Sequence, residues 1–149
     1  METLVESIKR HEGYREDPYL CSQGFWTVGW GHNIHNMASW SNGEDPVWPD
    51  IVCDVEQHET WLQQDIATAR RAAMEWLGPV MDSLSLPQQH VVIEMAFQLG
   101  ARGQTKFVKM KQALVDGDIP RAADEMLDSL WHQQTPERVE ELSDKLLEG

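Results

Sequence analysis

The chain has 149 residues, enough for one domain with its own hydrophobic core. Its 25 acidic and 12 basic side chains leave a formal charge of −13, which argues against nucleic acid as a partner of the whole protein. No apolar run approaches the roughly 18 residues that cross a bilayer, so membrane insertion is not expected.

The first residues, METLVESIKR, alternate charged and apolar side chains. They read as an amphipathic helix over 2–12 rather than an export signal, with Leu4, Ile8 and His11 on one face. Gly13 is its natural stop. Residues 14–35 change character. Phe25-Trp26-Thr27-Val28 has strand composition, and alternation puts Phe25 and Thr27 on one face, with Trp26, Val28 and Trp30 on the other. A small antiparallel sheet fits. Residues 36–53 are broken by Asn42-Gly43, Pro46 and Pro49, with Trp40 and Trp48 between them, and read as a loop.

Asp54 caps a long helix in which Leu62, Ile66, Ala69, Ala73 and Leu77 mark a buried face, ended by Gly78-Pro79. Ser85-Leu86-Pro87 opens a helix that is apolar nearly all round, hence a core helix, closed by Gly100. Further helices are expected over 105–115 and 119–131. A last one is capped by Thr135, opened by Pro136 and runs to about Leu147. The expected fold is α+β and mainly helical, one domain over 1–149. Its parts are a sheet lobe over 13–53, a connecting helix over 54–77, and a helical lobe over 78–149 joined by the N-terminal helix. A cleft between two such lobes is the usual place for a substrate.

Charge is unevenly spread. Residues 116–149 hold 10 acidic and 3 basic side chains, whereas Arg102, Lys106, Lys109 and Lys111 form a basic stretch without acid. Both suit solvated surface. Cys21 and Cys53 are too few for a disulfide framework or a metal site, and a single bridge between them stays open.

Glu12, at a helix end facing the sheet, is placed to act as a general acid. Eight residues then lead to Cys21, and five more to Thr27. This spacing, flanked by His11-Glu12-Gly13 and Thr27-Val28-Gly29-Trp30-Gly31-His32, resembles the catalytic triad of tailed-phage lysozymes, glycoside hydrolase family 24. In that family the middle member is Asp or Cys. The resemblance continues at Gln64-Asp65-Ile66, at Met95-Ala96-Phe97-Gln98-Leu99-Gly100 and at Ser129-Leu130-Trp131-His132-Gln133-Gln134-Thr135-Pro136-Glu137-Arg138, and so covers nearly the whole chain in order.

The resemblance implies a lysozyme-like fold and an endolysin. Such an enzyme hydrolyses the β-1,4 bond between N-acetylmuramic acid and N-acetylglucosamine in bacterial peptidoglycan, for host cell lysis. It carries the general-acid role onto Glu12 and a water-holding role onto Thr27, and it places Gly31, Asn33, Phe97 and Gln98 along the sugar. No cofactor or metal is implied, and a monomer acting on glycan strands is expected. The missing export signal implies a store in the host cytoplasm, released through a holin to act in the periplasm or cell wall. An ion pair between His32 and Asp65 is also expected, tying the lobes together.

Cys21 departs from two-carboxylate glycosidase chemistry. It can serve as a base, as a holder of the attacking water or as a nucleophile, and holding the water fits best. The rival activities are a lytic transglycosylase, which needs one acid and no water base, and a non-catalytic glycan-binding phage protein. Glu12 argues against the second.

Overall fold

The computed structural model describes residues 2–40 and 45–149. The expected Asn42-Gly43 turn lies outside the described residues. The chain forms two compact units, Met1–Ile66 and Ala67–Gly149. The fold is α+β and mainly helical, as the sequence predicts.

In the first unit, helix α1 spans Leu4–Glu12. Thr3 starts it with a capping box: its hydroxyl accepts from the Glu6 amide at 3.1 Å, and its own amide donates to the Glu6 carboxylate at 3.2 Å. Leu4, Ser7 and Ile8 are buried, and Lys9, Arg10 and His11 complement the dipole of the last turn. Gly13 closes the helix by donating to the Lys9 carbonyl.

Three antiparallel strands follow in the order β1-β2-β3: β1 Arg15–Leu20, β2 Trp26–Gly29 and β3 His32–Asn33. β1 is an edge strand with an irregular register between Arg15 and Tyr19, which is where an edge tolerates Pro18. As alternation requires, Trp26 and Val28 pack on one side, with Ile34, Val52, Met37, Trp48 and Trp61. Trp30 does not join them. Gly29, at φ +64°, ends β2, and Trp30 packs on Tyr14 (4.5 Å between rings) with the Lys9 ammonium over its ring.

Within 36–53 the described residues add short 3₁₀ turns at His35–Met37 and Asp50–Cys53, and an isolated antiparallel bridge between Ser39 and Val47. Helix α2, Val55–Leu77, begins where the Asp54 carboxylate accepts from the Glu56 amide at 3.0 Å. Leu62, Ile66, Ala69, Ala73 and Leu77 are all buried, the face their spacing defines.

In the second unit, α3 spans Leu86–Thr105 with a Ser85–Gln88 capping box and a buried run from Val91 to Ala96. Gly100 breaks its helical backbone, at φ +72° and ψ +167°. The buried run includes Glu94, whose carboxylate accepts from Arg138 Nε at 3.1 Å. Helices α4 Val108–Val115, α5 Ile119–Leu127, α6 Leu130–Gln134 and α7 Pro136–Glu148 complete the unit.

Two expectations fail here. The single helix over 119–131 is two helices, α5 and α6. Ser129 separates them: its hydroxyl donates to the Met126 carbonyl and accepts from the His132 amide, ending one helix and capping the next. Thr135 does not cap α7 with its side chain. Its hydroxyl is engaged with the Trp131 carbonyl and Gln98, and Pro136 at the first helical position opens the helix without it.

Candidate active site

Glu12 is the last residue of α1, held half-buried as the helix runs into Gly13. Its carboxylate lies against the backbone of Gly31, so that a Cβ at that position would collide with the Glu12 oxygen. Gly31 also sits at φ +72°, a conformation that disfavours any side chain. The next residue, His32, pairs through Nδ1 with the Asp65 carboxylate at 2.7 Å and stacks on Trp61 with ring centres 4.4 Å apart. The expected His32–Asp65 pair is therefore present. Both residues belong to the first unit, where the pair ties β3 to the middle of α2.

Cys21 follows β1 in a tight turn closed by its own amide, which donates to the Phe25 carbonyl, and by the Gly24 amide, which donates back to Cys21. Gly24 takes φ +83° to make that turn. The amides of the turn lie close enough to the sulfur to act on its charge. Burial pushes the Cys21 thiol up, but the amides of Phe25 and Gln23, the Thr27 hydroxyl and the Gly24 amide together outweigh it. The result is a pKa below the ordinary thiol value, and so a larger thiolate fraction near neutrality.

Thr27 is 5% exposed and donates its hydroxyl to the Phe25 carbonyl at 2.9 Å. The same hydroxyl is close enough to Cys21 to help lower its pKa.

Tyr19 pairs with Thr27 across β1 and β2, so both side chains leave the same face. Burial, then the nearby Glu12 carboxylate, raises its hydroxyl pKa, with Arg15 opposing and Cys21 adding to the shift. Tyr19 thus stays a neutral hydrogen-bond donor within electrostatic reach of Glu12 and Cys21. The Arg15 guanidinium lies 4.5 Å over its ring. Asn33 is exposed and opposite Thr27 in the β2–β3 register, and its side-chain oxygen accepts from the His35 amide at 2.9 Å. The first unit therefore gathers Glu12, Gly31, Cys21, Thr27 and Asn33, together with Tyr19 and Arg15, which sequence reasoning missed. The Tyr19–Thr27 register could have revealed Tyr19 had β1 been read as a strand.

Cys21 and Cys53 are both free thiols, so the bridge left open by the sequence is not formed. Cys53 is exposed, and its thiol donates to the Asp17 carboxylate at 3.8 Å. Burial, then Asp17 and its acidic neighbours Glu16 and Asp50, raise its pKa.

Residues 9–145 match the sequence profile of the family described as Phage lysozyme. The chain belongs to the phage lysozyme family. It is 29% identical to the pre-baseplate central spike protein Gp5 of Enterobacteria phage T4, over 99% of this chain but 28% of that protein's length. Against probable T4-type lysozyme 1 of Dictyostelium discoideum it is 23% identical, covering 91% of this chain and 88% of the other. It is 31% identical to an endolysin of Acyrthosiphon pisum secondary endosymbiont phage 1, over 80% of this chain and 72% of that one.

The remaining two sequence-predicted residues of this phage lysozyme family member lie in the second unit, on α3. Phe97 is half-buried rather than part of the closed core. Gln98 accepts from the Trp131 indole at 2.8 Å and donates to the Thr135 hydroxyl at 3.1 Å. It clamps the Ser129–Arg138 segment to α3, so two motifs far apart in sequence form one hydrogen-bonded unit.

Proposed function

We propose that the protein is a muramidase, hydrolysing the β-1,4 bond between N-acetylmuramic acid and N-acetylglucosamine in peptidoglycan. Glu12 protonates the leaving glycosidic oxygen. A water on the opposite face of the sugar is held by Thr27 and by Cys21. As a thiolate, Cys21 accepts a hydrogen bond from that water and draws its proton as the new C–O bond forms. Gly31, Asn33, Phe97 and Gln98 are the proposed sugar-lining positions. The observation that carries this reading is the match of residues 9–145 to the phage lysozyme family; the surroundings of Cys21, which lower its thiol pKa, support a charged role for the sulfur.

The test is turbidity clearing of chloroform-permeabilised Gram-negative cells. Glu12→Gln should lower kcat by about 10²–10⁴, the usual contribution of a general acid. Cys21→Ser should fall by a similar factor, because serine cannot carry the charge, whereas Cys21→Asp should retain activity. Equal clearing by Cys21→Ala and the parent would remove Cys21 from the mechanism. Full clearing by Glu12→Gln would leave a glycan-binding protein instead. Mass spectrometry of the digest should show reducing ends; 1,6-anhydro ends would indicate a transglycosylase.

A second setting is favoured by one comparison. The match to the spike protein takes in nearly all of this chain but only 28% of that protein. The same unit can therefore work as a segment of a longer particle protein, rather than as an endolysin released through a holin. Immunoblotting of purified particles and of lysates separates the two settings.

A further inference from the structure

Seven tryptophans are more than the proposed reaction uses. Two of them, Trp26 and Trp40, line a wide, open groove of about 680 Å³ with Leu20, His35 and Asp45. Its position follows from strand register. Leu20 pairs with Trp26, and Tyr19 with Thr27. Paired residues leave the same side of a sheet and successive residues leave opposite sides. Leu20 and Trp26 therefore leave the face of the sheet turned away from Thr27 and Tyr19, and the groove reaches the Cys21 turn only at Gly24.

Its walls combine three kinds of group. Trp40 and Leu20 are 58% and 55% exposed, so flat and aliphatic surface is left open to water. His35 Nδ1 accepts from the Trp26 amide at 3.4 Å, which leaves the proton of the neutral ring on Nε2 as a donor. The Asp45 carboxylate is exposed at the rim and takes no partner among the described residues. Indole faces suit the C–H face of a pyranose, a carboxylate suits vicinal hydroxyls, and N–H donors suit an amide carbonyl. An anion would be repelled by Asp45 and by the overall charge of −13. An organic cation would suit Asp45 and the rings but would leave the imidazole donor without an acceptor.

We propose that this groove is a second saccharide site, which takes one or two neutral N-acetylated pyranose units and holds a glycan strand without cutting it. It gives an acidic protein a short-range hold on an anionic wall that its long-range field opposes. The inference stands on the chemistry of the groove and does not need the hydrolytic reading.

The test is an NMR titration of the full-length Glu12→Gln protein with the β-1,4-linked trimer of N-acetylglucosamine, so that hydrolysis does not consume the ligand. The indole N–H resonances of Trp26 and Trp40 should shift along a saturable curve. Adding Asp45→Asn should raise Kd by about tenfold, the worth of one hydrogen bond to a charged group. Adding Trp40→Ala should abolish the Trp26 shift while the response of the Thr27 amide is unchanged. Both substituted residues are exposed, and an otherwise unaltered spectrum confirms folding. Silent indoles, Trp26 shifts that survive both substitutions, or saturation by a tetraalkylammonium ion but not by the trimer would each overturn the proposal.

Discussion

Cys21 and Cys53 share a side chain and differ in everything around it. Burial raises both thiols, but amide and hydroxyl donors outweigh it at Cys21, whereas carboxylates add to it at Cys53. Exposure alone would make Cys53 the faster to react. Thiolate fraction changes tenfold per pH unit, however, and decides the order. Iodoacetamide at neutral pH should therefore alkylate Cys21 first, as read by peptide mass spectrometry. As pH rises, thiolate appears at Cys21 below the ordinary thiol range and at Cys53 above it, so the Cys21 profile should lie on the acid side. Prior labelling of Cys53 would contradict this account. The family-like spacing of Glu12, Cys21 and Thr27 was legible because the three lie on one continuous stretch, and their roles rest on that resemblance. Tyr19 and Arg15 were not. The irregular register of β1 and the pairing of Tyr19 with Thr27 are relations between strands, and no periodicity in 14–20 announces them.

At the level of elements, the patterns that survived are those that burial enforces. The α2 face from Leu62 to Leu77 and the apolar α3 run were readable because a one-sided or all-round apolar pattern has few other places to go. The boundary between α5 and α6 was not, because it rests on one hydroxyl. Ser129 in a sequence of otherwise helical character signals a break only when its two hydrogen bonds are seen. Thr135 misled for the same reason, since its hydroxyl is committed to Gln98 and the Trp131 carbonyl. That clamp has a measurable worth. Gln98→Ala leaves the indole N–H of Trp131, which is 2% exposed, without its acceptor. The expected loss is about 1–3 kcal/mol of unfolding free energy in urea titration, the cost of one buried unsatisfied donor. A loss near zero would mean that the segment is held by packing alone.

For the whole molecule, the fold class followed from amphipathic patterning and punctuation, but charge sets behaviour that no single element explains. The acidic excess opposes approach to an anionic wall, and the exposed cations Arg102, Lys106, Lys109 and Lys111 are too local to reverse it. Screening shortens from about 30 Å at 0.01 M salt to about 10 Å at 0.1 M. Clearing of cell walls should therefore rise between these concentrations, whereas hydrolysis of a small neutral glycan should hardly change. A fall in clearing over that range, as for a basic enzyme, would contradict the charge argument.

The sulfur in the β1–β2 turn has one more consequence, in time rather than in geometry. Donors that favour a thiolate also favour its oxidation, first to a sulfenic acid and then to acids that no thiol reductant restores. A carboxylate at that position has no such decay. On the reading proposed above, oxidation of Cys21 would end activity while the fold stays intact, so the working life in an oxidising setting would be set by sulfur chemistry.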